Sequence, residues 1–281
     1  MTESLTEREY WNRHWDSLVL PVAHNLENST GLARDILEFF ESVLASRPPK
    51  TVLEIGGAPG GYLSYFHHRF GSEVHSLDYS ETGCKKTEEN FRMLGCPITV
   101  HHKDVFAIGA DFPRFDLVYS LGLIEHFADT AKVVRAHRHL MKPDGLLILG
   151  VPHFVRVFWP VLLLLAPHVT RGHNRSALSP DFWRTFEREV GIVSLGKAYV
   201  GGFNPWLMGS VIGEELGTGG GRFKAIGRSL MLALRVTLAL RRRVESVLPG
   251  IGRVFMYNGR RTSSYAMGVY AATHDDCGNS A

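Results

Sequence analysis

The sequence predicts a doubly wound α/β domain, a mostly parallel sheet wrapped by helices. Two observations carry that reading. The run Thr51-Val52-Leu53-Glu54-Ile55 has strand character and passes into the glycine-rich turn Gly56-Gly57-Ala58-Pro59-Gly60-Gly61, after which Leu63, Tyr65 and Phe66 fall at helical spacing. Strand-like runs then recur at 73–78, 98–102, 115–120 and 146–151. A chain of 281 residues with 44% hydrophobic content is enough for one large domain with additions.

Ahead of the first strand, Leu32, Ile36, Phe39, Phe40, Val43 and Leu44 form a helical stripe that stops at Arg47-Pro48-Pro49. Its expected role is packing against the sheet. The aromatic-dense Tyr10-Trp11-Asn12-Arg13-His14-Trp15 admits two readings. It is a helix that covers a bound ligand, or one whose tryptophans fill a groove elsewhere.

The glycine turn suits a nucleotide-like ligand. Glycine lets the backbone approach, and the following helix offers free N–H groups. The acid Glu54 refines this: it repels a pyrophosphate and attracts a cofactor carrying an amino group and a sulfonium. A looser nicotinamide-type pattern, Gly56-x-Ala58-x-x-Gly61, is also present. Asp78 closes the second strand about twenty residues on, where an acid hydrogen-bonds ribose hydroxyls, although a helix N-cap is the local alternative. The third strand runs into Lys103-Asp104-Val105, and the fourth into Leu121-Gly122-Leu123-Ile124-Glu125-His126-Phe127. A helix with Val133, Val134, Leu140 and Met141 on one face leads to a turn, Met141-Lys142-Pro143-Asp144-Gly145, and a buried fifth strand.

In this order the segments resemble the S-adenosylmethionine-dependent methyltransferases of the Rossmann-like class I. The turn is similar to the family's G-x-G-x-G with alanine at the middle glycine. Leu121 to Phe127 resembles its post-strand signature, and the run from Met141 resembles L-K-P-G-G-x-L with Met141 and Asp144 as variants. The likeness covers about residues 50–152, and 179–203 more weakly. It implies an α/β sheet of order 3-2-1-4-5-7-6 with an N-terminal helical cap and helical insertions. It also implies S-adenosylmethionine as cofactor, held by Glu54, Gly56, Gly57, Ala58, Gly60, Asp78, Tyr79, Asp104, Val105 and Ser120, with Leu121 closing over it. The expected division of one domain is a cap at 1–47, a cofactor core at 48–153, an apolar lid at 154–178, a basic helical insertion at 204–262 and a last strand at 263–273.

Two segments are individual to this chain. Residues 152–167 are strongly apolar and leave the fifth strand at the sheet's carboxyl edge, where doubly wound folds bind ligands. They could wall a greasy pocket, dip into a membrane interface or form a buried helix. A comparable insertion followed by Gly-x-His marks ubiquinone-biosynthesis O-methyltransferases, and Arg171-Gly172-His173-Asn174 resembles it locally. The stretch from Arg222 to Arg261 holds ten Lys or Arg and one acid. On its expected helix Arg228, Arg235 and Arg242 share one stripe amid leucine and valine, which suits an anionic membrane surface. The same helix could instead pack on the body or join a homodimer interface.

Methyl transfer from a sulfonium is an in-line displacement that needs alignment, exclusion of water and a place for a proton. His126 and His153 follow the fourth and fifth strands, and His173 can reach the same edge from the lid. His126 is the first candidate base. The 14 histidines raise the question of a metal, but adjacent pairs such as His67-His68 diverge, and Gly122 stands where some ubiquinone-type relatives carry an extra acid. No catalytic metal is therefore expected. The net charge of +3 excludes a strong global field, and the basic stretch lacks interleaved aromatics, so nucleic acid is not an expected partner. Cys84, Cys96 and Cys277 form no C-x-x-C pair, the first residues carry no signal-peptide pattern, and no uncharged run reaches about 18 residues. A cytoplasmic protein, peripheral on a membrane at most, is expected. The predicted substrate is an apolar or amphiphilic small molecule methylated on oxygen or nitrogen, lipid-linked or a natural product. The rival readings are a macromolecular methyltransferase, or a membrane-recruited scaffold that keeps the fold without turnover.

Overall fold

The computed structural model describes residues 4–155, 158–201 and 263–273, together with helical positions from Ser229 to Val247. Most of the expected basic insertion, including Arg228, Arg235 and Arg242, lies outside the described residues, as does Cys277.

Seven strands form one sheet in the order β3-β2-β1-β4-β5-β7-β6, as expected. They are β1 (Thr51–Ile55), β2 (Glu73–Asp78), β3 (Thr99–His102), β4 (Phe115–Leu121), β5 (Met141–Pro152), β6 (Ile192–Val200) and β7 (Tyr265–Ala272). The first five run parallel, and β7 runs antiparallel between β5 and β6. Successive side chains on a strand point to opposite faces. Val52, Leu117, Tyr119 and Ile148 accordingly enter one core, with Leu37 and Phe40 of α2 (Leu32–Leu44) and Leu63 and Phe66 of α3 (Gly61–Phe70). Leu53, Val118, Leu147 and Leu149 enter the other, with Val133 and Val134 of α5 (Thr130–His139) and Phe186 and Val190 of α8 (Arg184–Val190). Both faces are covered, which explains the continuous apolar runs of the central strands.

One expected turn is corrected. Met141 to Gly145 begins β5 itself. Phe115 pairs with Met141 and Leu117 with Leu146, so β4 advances two residues while β5 advances five. The surplus bulges outward and is anchored by Lys142, whose Nζ donates to Asp116 Oδ1 at 3.0 Å and Thr51 Oγ1 at 3.1 Å.

The remaining helices are α1 (Arg8–Asp16), α4 (Glu81–Leu94), α6 (Phe158–Leu165) and α7 (Pro167–Arg171). The lid has its own small core of Phe154, Val155, Leu162, Ala166 and Leu178. It is tied to the sheet through Trp183, fully buried, whose indole N–H donates to the Ala177 carbonyl at 2.7 Å. Trp183→Phe leaves that carbonyl without its donor and should cost about 1–3 kcal/mol. A urea titration should show the midpoint falling at constant slope; an unmoved midpoint would remove Trp183 from this tie.

Candidate active site

The cleft lies at the carboxyl ends of β1, β2 and β4. The turn after β1 wraps a carboxyl group. A Cβ added at Gly57 would fall 2.0 Å from the Glu54 carboxyl carbon, so no larger residue fits there with the acid in place. Glu54 is buried, its Oε2 has no partner, and burial pushes its pKa up to about 8. At the end of β2, Asp78 Oδ1 accepts the Ser80 N–H at 2.8 Å while Oδ2 is buried without a partner. Burial raises its pKa to about 6. Asp104 accepts the Phe106 N–H at 3.0 Å and so caps the 3-10 turn that presents Val105 and Phe106 to the cleft.

Two buried acids, each with an unpaired oxygen, call for donors and positive charge from a ligand. S-adenosylmethionine carries both, hydroxyls on its ribose and an ammonium on its amino-acid end. Gly56, Asp78, Tyr79, Asp104 and Val105 line the cleft as expected.

The aromatic N-terminal segment covers the cleft, which decides between its two readings. Trp11 and Trp15 stack at 5.5 Å and line it. Arg8 sits over the Tyr79 ring at 4.9 Å, and Asn12 Oδ1 accepts the Ser80 hydroxyl at 2.7 Å. Further up the chain, the Leu5 N–H donates to the His126 carbonyl at 2.7 Å.

His126 also lines the cleft. Its Nδ1 lies 3.0 Å from the Gly172 carbonyl and 2.9 Å from Thr6 Oγ1. A carbonyl only accepts, so Nδ1 carries the proton and the Nε2 lone pair faces Glu125 Oε1 at 3.9 Å. Burial, with help from His173, drives the His126 pKa down to about 3, so the ring is neutral. Glu125 is fully buried, both its oxygens lack partners, and burial lifts its pKa to about 8. His173 comes from the lid, its ring 4.5 Å from that of His126. The ligand-type atoms of Glu125, His126 and His173 lie within 4.8 Å of one another, a grouping able to hold a cation. The adjacent histidine pairs of the sequence gave no sign of this trio, because His173 joins it only through the lid.

Several expected site residues lie elsewhere. His153 is buried under the lid, Nδ1 2.9 Å from the Leu178 carbonyl and its ring against Tyr199, outside the cleft lining. The Ser120 hydroxyl pairs with His137 Nε2 at 3.0 Å inside the body. Leu121 packs over Gly150, and Leu123 lines the cleft and lies against Gly56 instead. Glu54, Gly57, Ala58 and Gly60 shape the turn without lining the cleft, Glu54 buried beneath Gly57 and Gly60 lying against Phe91. Sequence reasoning missed Phe106, Leu123 and Phe127 as walls; each directly follows or sits within a motif, and that adjacency was the available signal.

Residues 52–145 match the sequence model of a methyltransferase domain. The ubiquinone biosynthesis O-methyltransferase of Ruegeria pomeroyi is 30% identical over 183 residues, covering 62% of this chain and 73% of that protein. The same-named protein of Proteus mirabilis is 29% identical over 121 residues, covering 43% of this chain and 49% of its own. That of Methylobacterium is 32% identical over 96 residues, 34% and 38% respectively, so the chain spans about half or less of these two relatives. A methyltransferase from Geobacter sulfurreducens solved with S-adenosylhomocysteine shares the fold at TM-score 0.55 and 14% identity, covering 95% of this chain and 99% of that one. The cyclase SpnF does so at 0.60 and 11%, covering 97% of each chain. The order of motifs, the paired acids at the strand ends and the relative in Ruegeria agree: the chain belongs to the S-adenosylmethionine-dependent methyltransferases of class I.

Proposed function

We propose that the enzyme methylates an oxygen or nitrogen of an apolar or amphiphilic small molecule. The observation that carries this is the wall of the catalytic edge. Trp11, Leu123 and Phe127 flank His126, and Phe154 of the lid core lies 6.3 Å from the His173 ring. Oxygen is favoured by the relatives named as ubiquinone biosynthesis O-methyltransferases.

The cofactor supplies an electrophilic methyl group on a sulfonium. The chain's own residues do the rest. Asp78 would accept from the ribose hydroxyls, Glu54 would counter the ammonium charge, and the Asp104 turn would offer Val105 and Phe106 to the adenine. Trp11 and Trp15 keep water out, which strengthens each of these contacts. The acceptor's proton goes to the Glu125–His126 pair. A neutral His126 offers its Nε2 lone pair to that proton; Glu125, lifted to about 8, holds a proton of its own below that pH and accepts one only above it.

A peripheral membrane contact fits the same substrate class. Leu163 and Leu164 of the lid are exposed. So are Leu232, Val236, Leu240 and Val247, which recur at helical spacing in the second insertion. Among the described residues no helix is long and apolar enough to cross a membrane.

The substrate class is tested by adding enzyme and methyl-labelled cofactor to a producing-cell extract. Label should enter organic-phase small molecules; label in polymer would overturn the reading. For the cofactor, Asp78→Ala should weaken binding by one to two decades, since about 1.5–3 kcal/mol of charge-assisted bonding is lost. Gly57→Ala should weaken it comparably by displacing Glu54. Binding should also depend on pH. Protonated Glu54 and Asp78 must ionise on binding, so affinity rises with pH from about 6 towards 8. Above about 8 the ligand's own α-amino group loses its proton, so calorimetry should find a maximum near there. His126→Ala should lower kcat by about 10²–10⁴ while cofactor affinity stays within a few fold. Normal turnover with collapsed affinity would instead make His126 a cofactor residue. On vesicles, the protein should sediment more with anionic than neutral lipid. Replacing Arg228, Arg235 and Arg242 with glutamine should abolish that preference, at about 1 kcal/mol per arginine. Equal, negligible sedimentation with both lipids would sink the membrane contact.

A further inference from the structure

A second hollow lies between the 3-10 turn that follows β3 and helix α5. It holds about 490 Å³, the size of a small-molecule site. Val105 and Phe106 line it as well as the cofactor cleft, so the two spaces share one wall. Ile108 and Phe112 extend its apolar surface. Set into that surface are the basic side chains of Arg114, Lys132, Arg135 and His139, and among the described residues no acid lines it.

The cations converge from two segments. Lys132, Arg135, Ala136 and His139 fall three or four apart on α5 and so share one face. Arg114 comes from the chain just ahead of β4. A cation in the last turn of a helix answers its dipole, which accounts for His139. Lys132 stands in the first turn, where the dipole opposes a cation, and Arg114 stands on no helix, so the dipole does not account for the group. Burial, Arg138, Arg114 and Arg135 all lower the His139 pKa, so guanidinium charge reaches that imidazole from both segments. Lys132 Nζ sits 5.3 Å over the Phe106 ring and Lys103 Nζ 5.7 Å over that of Phe112, which carries positive charge onto the aromatic walls. The acids beside the group offset little of this. Glu189 of α8 accepts from Arg135 Nη2 at 3.1 Å in a solvent-exposed pair, and Asp111 stands at the rim beside Gly109.

We propose that this hollow binds a phosphate monoester carried on an apolar body. Two guanidinium forks and an ammonium match the oxygens of a phosphate, whose charge near pH 7 is about −2. A carboxylate brings one charge and is served by a single fork. The volume far exceeds that of a bare phosphate, and Phe106, Ile108 and Phe112 face the remainder, where an apolar body loses its contact with water. A soluble ester fits better than a bilayer lipid, because the exposed leucines that would meet a membrane belong to the lid and the second insertion, not to the rim of this hollow. The site stands apart from the methyl-transfer chemistry and from the substrate class proposed above.

The test titrates phenyl phosphate, phenol, benzoate and inorganic phosphate by NMR against the protein saturated with S-adenosylhomocysteine, which fills the cleft. Phenyl phosphate should bind about tenfold tighter than each of the other three. Lys132→Gln and Arg114→Gln should each weaken it about tenfold. Ala136→Glu adds an acid to the lining, removes no cation, and should weaken it at least as much. Arg92→Gln, an exposed change on α4, should leave it within about twofold. Affinity for S-adenosylhomocysteine within about threefold in all four variants would show the cleft intact. Phenyl phosphate no tighter than any one of the other probes would overturn the proposal: phenol removes the charge, benzoate the second charge, inorganic phosphate the apolar body. A preference that survives Lys132→Gln and Arg114→Gln, or that falls equally in Arg92→Gln, would overturn it too. Anionic vesicles or an oligonucleotide that displace phenyl phosphate at a lower phosphate concentration would assign the hollow to a membrane or a nucleic acid instead.

Discussion

The structure turns on carboxyl groups held out of water at the carboxyl edge of the sheet. Glu54, Asp78 and Glu125 are buried with at least one oxygen unpaired, and burial raises all three above the usual carboxylate range. Such groups destabilise an empty protein as pH rises. The folded state binds protons that the unfolded chain has already lost, so stability declines between the ordinary carboxylate pKa and about 8. A cation and hydroxyl donors bound against them would offset that penalty. The glycines follow from the acids: Gly57 is bare because the Glu54 carboxyl occupies its side-chain space.

Coverage of the site comes from two directions and meets at one imidazole. The N-terminal segment reaches His126 through Leu5 and Thr6, and the lid reaches it through Gly172. Thr6 Oγ1 also approaches the Gly172 carbonyl at 3.3 Å, so cap and lid touch each other there. Helix α1 has no buried residue, and its hold on the body is a set of polar and aromatic contacts rather than a core. An element held this way opens at lower cost than the sheet does.

Sequence made the parallel half of the sheet legible because each strand there is a short apolar run closed by an acid or a glycine turn. Asp78 and Asp104 could be placed from that order alone. The β5 bulge was not legible: Lys142 to Gly145 has turn composition, and only the pairing of Phe115 with Met141 reveals the strand around it. Leu123 reaches the cleft and Leu121 lies against Gly150, because the strand ends at Leu121 and the chain then reverses through Gly122. The Ser120 hydroxyl turns inward to His137 on α5, a contact that no local pattern encodes.

Tyr265 marks the deeper limit. It stands on the last strand, more than a hundred residues after Gly122, and nothing in its neighbourhood Ser263-Ser264-Tyr265-Ala266 marks a place at this edge. Its position follows from topology. Because β7 inserts antiparallel between β5 and β6, its first residue comes to the carboxyl ends of the parallel strands. The parallel strands must reach that edge with their last residues, where turns and motifs advertise function. An antiparallel strand delivers its opening residue there instead, and Gly122 and Gly150 leave room for the ring and hydroxyl that arrive. The absence of side chains at these two positions and the presence of one at Tyr265 are therefore a single feature of the fold, seen from two strands.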